Sequence, residues 1–467
     1  MHKFLIRNLI AIVLFTGFNF VNFSAYSQET IEFDVNLTQR GDVITNVTDN
    51  INVWDYRAWA ESEKFPEYFA HNLPFVRYVQ LMMAVGGNED RDLFVNPTDR
   101  ETLNDYNFSK LIEACRNILY QGLIPHLKIG NVPLKYSKEP KISKSFGVNI
   151  MPPDDYKLWY DYVKAFGDAL VTEFGVESVK SWRFGVLTEY ENKDWFSVDD
   201  DSEITKNEYF KLYDYAVEAL RNSIDNDIFV GAHSMTVTEG LWDERDFISH
   251  CAKGINNCTG ERGTRLCYLS SSFYDNKPGE YAEKTVQESI DLLRDHAIKE
   301  GLNGLVYGID EGRILQGCDG KDLLPRAVGN TWQAAADARL FKTLLDNDID
   351  YFSQWYFSTN GLFGGVPCVS AHVANLFYKL AGNNRVTVNK LSRNSNVDSN
   401  TDCIAAINKD KLYLLFYAYS DSISEVGQRS VRCNLRDLVK SSGKIKVTYT
   451  TVSDDSNFFD EWERDQA

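Results

Sequence analysis

The sequence predicts a (β/α)₈ TIM barrel followed by a small β-sandwich domain, and three observations carry that expectation. Up to about residue 375, short apolar runs alternate with helical patterns, the rhythm of βα units. The alternation recurs eight times, which favours a closed barrel over an open doubly wound sheet, and the glycine-rich phosphate fingerprint of a dinucleotide fold is missing from the first turn. Beyond about residue 384 the texture changes to short β-rich runs separated by turn signals.

Taken in order, the expected barrel strands are residues 51–54, 75–83, 122–129, 181–187, 228–232, 266–273, 305–309 and 351–357. The third ends in Gly130-Asn131-Val132-Pro133, a loop signal. The clearest helix is 152–174, where Trp159, Tyr162, Val163, Phe166 and Leu170 recur at three- and four-residue intervals and form one apolar face. Pro153 near its start and Gly175 just past its end fit the usual asymmetry of helix termini. Further helices are expected over 209–221, 283–296 and 369–380, and sandwich strands over 385–388, 403–407, 412–419, 429–433 and 444–449. The sandwich is expected to pack directly on the barrel. The domain reading is therefore a leader over 1–27, a barrel over 28–380 and a sandwich over 381–467.

The leader is read from Lys3 and Arg7, an apolar run over 9–20, and the small-x-small spacing of Ala25 and Ser27, which suggests a cut before Gln28. The run is short for a bilayer span and no later stretch is long enough, so an exported, periplasmic or extracellular protein without stable membrane insertion is expected. The net charge of -18 argues against nucleic acid, whose phosphates need a basic footprint. Eight cysteines admit disulfides after export; Cys251 with Cys258 and Cys403 with Cys433 are plausible pairs, and free buried thiols are the other reading. No CxxC pair and no His/Cys cluster at zinc spacing occurs, so no metal and no cofactor is expected. The sequence does not read out an oligomeric state.

Barrel enzymes place catalytic groups at the C-terminal ends of strands. Glu189 follows the fourth strand and Glu311 the seventh, so the two carboxyls can face one another across the mouth. Hydrolysis of a glycosidic bond needs that arrangement, one carboxyl to protonate the leaving oxygen and one to attack carbon or activate water. Glu191 and Asp310 are close competitors, because a boundary error of one or two residues exchanges the roles, and simple alternation points Glu189 and Glu191 to the same side.

Several segments resemble the family 39 glycoside hydrolases, the group with β-xylosidases and α-L-iduronidases. Phe75-Val76-Arg77-Tyr78-Val79 is similar to the family's second-strand segment, and the stretch from Gly122 through Pro125 to Gly130 to its third. The strongest match runs from Trp159 and Tyr162 through Phe174-Gly175 and Val179 to Trp182-Arg183-Phe184. Gly361-Leu362-Phe363, the stretch from Ala371 to Gly382, and Asn457 to Trp462 resemble segments leading out of the barrel and closing the chain. The resemblance implies that Glu189 is the general acid/base and Glu311 the nucleophile of a retaining double displacement. It also implies that Tyr274 hydrogen-bonds the nucleophile, the other reading being an ordinary amphipathic tyrosine at the edge of the core. The chain departs from the pattern at Thr188, where the family has the Asn that bonds the sugar 2-hydroxyl, at Tyr190, where it has Pro, and at Asp310-Glu311-Gly312, where the family more commonly has T-E-x.

Other residues are candidates for support or substrate binding. Arg77 is read as fixing Glu311 or pairing with a structural carboxylate, and Trp355 as a sugar platform or a core aromatic. His126 and His233 are read as sugar contacts or bonded structural histidines, and Trp54, Asp55 and Arg57 as lining the outer pocket. The function expected is a secreted glycosidase acting on an oligosaccharide or polysaccharide. The alternatives are a carbohydrate-binding barrel that has lost hydrolysis, for which Thr188 speaks, and a structural cell-surface protein. An α/β-hydrolase is disfavoured because no G-x-S-x-G elbow occurs.

Overall fold

The computed structural model describes residues 8–14, 30–60, 73–274, 284–312, 331–354, 369–391, 401–409, 411–420, 430–437 and 446–452. Eight parallel strands close a barrel: β3 (Asn50–Asp55), β4 (Tyr78–Met83), β5 (Ile124–Ile129), β6 (Arg183–Val186), β7 (Phe229–Ser234), β8 (Tyr268–Phe273), β9 (Val306–Gly312) and β10 (Tyr351–Gln354). Each is followed by a helix: α1 (Arg57–Ala60), α2 (Ser109–Tyr120), α3 (Tyr156–Phe174), α4 (Ser202–Ser223), α5 (Glu244–Lys253), α6 (Val286–Glu300), α7 (Thr331–Asp346) and α8 (Val369–Leu380). All eight expected strands are present.

Helix α3 starts later than expected. Its N-cap is Asp155, whose carboxylate accepts from the Lys157 N–H, so Pro152 and Pro153 lie in the approach to the helix. Its apolar face is the one anticipated, with Trp159, Tyr162, Val163, Phe166 and Leu170 all buried. Helices α2, α5 and α7 have no counterpart in the sequence reading.

The barrel interior is polar and aromatic. At the bottom the Arg183 guanidinium lies over the Tyr78 ring at 3.8 Å and the Tyr351 ring at 4.9 Å, a cation on two π-faces. Higher up, Tyr268 and Tyr351 fill the lumen because two facing positions carry no side chain. A Cβ on Gly185 would stand 2.5 Å from the Tyr268 hydroxyl, and one on Gly308 2.2 Å from the Tyr351 ring.

The second unit takes strands from both ends of the chain. One seven-stranded sheet has the order β14 (Ser430–Arg436), β2 (Thr30–Val43), β11 (Asn384–Lys390), β12 (Thr401–Ile407), β13 (Lys411–Ala418), β1 (Asn8–Leu14) and β15 (Lys446–Val452). The expected boundary at residue 28 therefore moves: Thr30–Val43 belongs to this sheet, because it pairs antiparallel with β11 and parallel with β14, and the barrel starts at Asn50. Asn8–Leu14 also enters the sheet, although it falls in the segment read as a leader.

Period-two alternation decides how the units join. Cys403, Ala405 and Ile407 with Leu412, Leu414 and Phe416 close one cluster under Phe33 and Val35. Ile404, Ala406, Tyr413 and Leu415 point the other way and are continuous with the barrel core. The Trp332 indole N–H on α7 donates to the Ser420 carbonyl at 2.7 Å, so the sheet packs directly on the barrel, as expected. Cys251, Cys258, Cys403 and Cys433 are all free thiols, so neither plausible disulfide is formed.

Gly185→Ala should destabilise the fold by about 1–3 kcal/mol, the range of overpacking, and lower the thermal midpoint clearly. A Gly175→Ala change, where nothing lies within 4 Å but φ is 79°, should cost about 1 kcal/mol from backbone strain alone. Thermal unfolding of both variants checks the order.

Candidate active site

The mouth of the barrel is assembled from β6, β7, β8 and β9. After β6 the chain turns sharply: Leu187 has φ 65° and Glu189 φ 44°, a sparsely populated region for side-chain-bearing residues. On β9 the register shifts on both sides. Ser271 pairs with Ile309 and Ser272 with Glu311, while Phe352 pairs with Ile309 and Gln354 with Gly312. The extra residue is a β-bulge at Asp310, and it lets successive carboxyls, Asp310 and Glu311, both point inward. Asp310 goes down into the lumen and Glu311 goes up to the mouth.

Glu189 and Glu311 are nearly buried, at 8% and 5% exposure. One oxygen of each, with a ring nitrogen of His233, lies within 4.8 Å of the others. Ser272 stands between them: its Oγ is 2.6 Å from Glu189 Oε1, 3.3 Å from Glu311 Oε1 and 2.8 Å from His233 Nε2. The outer oxygens have separate donors. The Asn192 Nδ2 donates to Glu189 Oε2 at 2.7 Å, and the Tyr274 hydroxyl to Glu311 Oε2 at 3.3 Å. Burial, and then the Glu189 charge beside it, push the Glu311 carboxyl well above the usual carboxylate range. His233 is depressed to about 3 by burial and by Lys128, so its imidazole is neutral.

Under the mouth, Lys128 is paired with Asp310, and the Tyr351 hydroxyl donates to Asp310 Oδ1 at 2.6 Å. Burial pushes Asp310 up, but Lys128 outweighs it and holds the carboxylate well below its ordinary range. Lys128 itself is pulled down, because burial costs the ammonium more than Asp310 returns. The tight contact puts the negative charge on Asp310. It is a lumen ion pair, and Glu311 alone of the two faces Glu189.

Glu191 does not share the mouth either. It is fully buried, and its Oε1 accepts from Ser234 Oγ at 2.6 Å and from the Met235 N–H at 2.7 Å. Burial, with Glu244 nearby, raises it to about 8. Simple alternation fails here because positive φ at Leu187 and Glu189 breaks the strand.

For two of the other candidates the structure favours the structural one of the two readings. Arg77 is exposed and precedes β4 at the bottom of the barrel, where its N–H donates to the Asp49 carbonyl and its charge acts on the buried Asp49 carboxyl. It is a full strand length from Glu311. His126 is buried within β5, bonded to the Tyr268 hydroxyl at 3.0 Å, a lumen histidine below the mouth. Thr188 is buried, and its Oγ1 has no hydrogen-bond partner. Trp54 packs on Phe146 and Trp195, while Asp55 holds Arg57 and Arg91. Trp355 lies outside the described residues, as do Gly361-Leu362-Phe363 and the stretch from Asn457 to Trp462.

Ser272 and Asn192 were not singled out from sequence. Ser272 has the same parity as Tyr274 at the end of the sixth strand, and Asn192 follows Glu189 by one turn; those positions were the available signal.

Residues 88–298 match the model of glycosyl hydrolases family 39, a span that includes Glu189, His233, Ser272 and Tyr274 and ends before Glu311. A β-xylosidase of Caldicellulosiruptor saccharolyticus is 22% identical over 375 residues, 75% of this chain and 71% of that protein. A β-xylosidase of Geobacillus stearothermophilus is 26% identical over 179 residues, 38% of this chain and 32% of that one. Over residues 88–298 the chain is similar to the family 39 glycosyl hydrolases. It is thus a glycosidase, with a carbohydrate as substrate. Solved structures share the family 39 fold. A bacterial orthologue of human α-L-iduronidase superposes with TM-score 0.62 at 15% identity, over 88% of this chain and 69% of that one. The family 39 enzyme of Xanthomonas axonopodis pv. citri gives 0.59 at 13% identity, over 82% and 74%.

A raised carboxyl binds its proton more tightly in the folded than in the unfolded chain. The stability tied to Glu311 is therefore full below the ordinary carboxylate pKa and is lost as pH rises toward the folded value. An amide at this position cannot ionise, so Glu311→Gln should stabilise the fold at pH 7–8 by about 0.5–2 kcal/mol and show little difference near pH 4. Thermal midpoints at both pH values check the sign.

Proposed function

We propose that this glycosidase acts with retention, Glu189 as general acid/base and Glu311 as nucleophile. One observation carries the reading: single oxygens of the two carboxyls approach within 4.8 Å. Retaining enzymes hold their carboxyl groups about 5–5.5 Å apart, whereas inversion needs about 6.5–9.5 Å to admit water. Neutral Glu189 gives its proton to the leaving oxygen as ionised Glu311 attacks the anomeric carbon. Glu189 then removes a proton from the water that releases the sugar. Tyr274, bonded to Glu311 Oε2, orients the nucleophile. His233 is a neutral wall of the site, held by Ser272.

Two relatives named β-xylosidases make β-xylosides the first substrates of this proposal. Thr188 is too short to reproduce the contact expected of an asparagine, so selectivity at the sugar 2-hydroxyl is weaker than in an enzyme that keeps it. The carbohydrate-binding alternative is not favoured, since both carboxyls and their donors are retained.

Glu189→Gln should lower kcat about 10²–10⁴-fold on glycosides with poor leaving groups, and far less on aryl glycosides whose leaving phenol is acidic. Glu311→Gln should abolish turnover on both. Proton NMR of the first product formed should show the anomer of the substrate; the opposite anomer would establish inversion and remove the nucleophile role.

The proposal also places the enzyme outside the cytoplasm, on Lys3, Arg7 and the apolar run after them. N-terminal sequencing of protein from the periplasm or medium should begin at Gln28, and such a chain lacks β1. A start at Met1 would retain that strand and remove the leader reading.

A further inference from the structure

We propose that the Ser272 hydroxyl is a proton bridge between Glu189 and Glu311, a positioning residue that holds one proton on the pair and delivers it to Glu189. The direction of delivery rests on the roles assigned above; the bridge itself does not.

Ser272 is fully buried and has three partners: Glu189 Oε1, Glu311 Oε1 and His233 Nε2. A hydroxyl has one proton to give and two lone pairs to receive. His233 is neutral, so one ring nitrogen carries a proton and the other does not. Its Nδ1 is buried without a partner, and an orphaned buried N–H is rarer than an orphaned acceptor. The proton therefore sits on Nε2 and is donated to Ser272 Oγ.

That occupies one lone pair. Ser272 gives its own proton to one carboxylate, and the second lone pair is left facing the other carboxyl oxygen. Two ionised carboxylates would set lone pair against lone pair at that contact. A single proton on the pair satisfies all three partners together.

The surroundings point the same way. Asn192 Oδ1 accepts from the Asp194 N–H at 3.0 Å, which fixes its amide so that Nδ2 faces Glu189 Oε2. Tyr274 occupies Glu311 Oε2. Each carboxyl thus has its outer oxygen held by a separate donor and its inner oxygen on Ser272. Among the described residues Lys128, below the mouth, is committed to Asp310, and the other lumen imidazole, His126, is kept neutral by burial and Lys128. Burial and the Glu189 charge displace Glu311 upward, in keeping with one proton held on the pair.

Delivery is balanced. Glu311 Oε1–H passes its proton to Ser272 Oγ as Ser272 passes its own to Glu189 Oε1. Two O–H bonds break and two form, serine remains a hydroxyl, and the negative charge moves from Glu189 to Glu311. The product is the protonation state that double displacement requires.

The test is a ¹³Cδ-glutamate NMR titration of the full chain, with Glu189→Gln and Glu311→Gln to assign the two resonances. The wild type should titrate in two separated steps with one proton held between them. Ser272→Ala and the near-isosteric Ser272→Cys should bring the steps together by about one pH unit or more, and Ser272→Thr should restore the gap. In turnover, both limbs of the pH profile should close inward, with the larger loss on poor leaving groups. Wild-type titration in a folded Ala or Cys variant would overturn the bridge. A wild type that cleaves no glycoside, yet shows steps that narrow on Ser272→Ala, would uphold the bridge and overturn the hydrolytic reading.

Discussion

The architecture turns on Asp310. Its Oδ2 is paired with Lys128 from β5 and its Oδ1 with Tyr351 from β10, while its carbonyl accepts from Asn52 on β3 at 2.6 Å and Gln80 on β4 at 3.0 Å. One bulged residue on β9 is thereby tied to four other strands across the lumen. Desolvating an ion pair is expensive, and an apolar replacement of equal volume is often as stable. What the charges supply here is geometry. The bulge leaves an extra residue outside the ladder, and that residue is pinned from four sides, so the next one, Glu311, emerges at the mouth in one orientation.

The polar lumen and the mouth form one electrostatic system. Lys128 acts on both imidazoles and is the second cause, after burial, of their neutrality. A protonated His233 would donate from Nε2 as the neutral form does, but it would add a positive charge beside Glu311 and lower the proton affinity of the pair. By holding His233 neutral, the lumen lysine preserves the condition under which one carboxyl keeps a proton. The two buried acids lie next to a backbone turned to positive φ at Leu187 and Glu189. Strain and like charge are concentrated at the same point, as expected where function opposes stability.

Most of the barrel was legible because strand order follows from alternation, and because Glu189 and Glu311 stand at strand ends where the fold puts chemistry. The choice between neighbours was not. Asp310 and Glu311 differ by a bulge, which is set by partners on β3, β4, β5 and β10 and has no local signature. Arg77 was misplaced because the run over 75–83 was read as strand from its start, whereas pairing begins at Tyr78 and leaves the arginine at the opposite end. The second sheet was legible from residue 384 onward but not its use of Thr30–Val43, since a strand whose neighbours lie at the far end of the chain leaves no trace in local pattern. Helix α5 was missed for another reason: only Phe247, Ile248 and Cys251 of it are buried, too few to set a period.

The two departures beside Glu189 have different consequences. A proline after the acid/base fixes the backbone by its ring and gives up an N–H. Tyr190 instead donates that N–H to the His233 carbonyl at 3.1 Å, and its ring stacks on Tyr209 with centroids 4.9 Å apart. The loop is thus anchored to β7 and α4, and the anchor is the residue between Glu189 and the buried Glu191. The ring stack and the hydrogen bond fix this loop, and the same bond links it to the strand that carries His233. Thr188 has no such compensation. Its hydroxyl is buried and unpartnered, so this position supplies fixed space and an unspent donor where the family pattern supplies a reaching amide. Backbone geometry beside Glu189 is therefore held through Tyr190, while Thr188 leaves a buried hydroxyl where the family pattern has an amide.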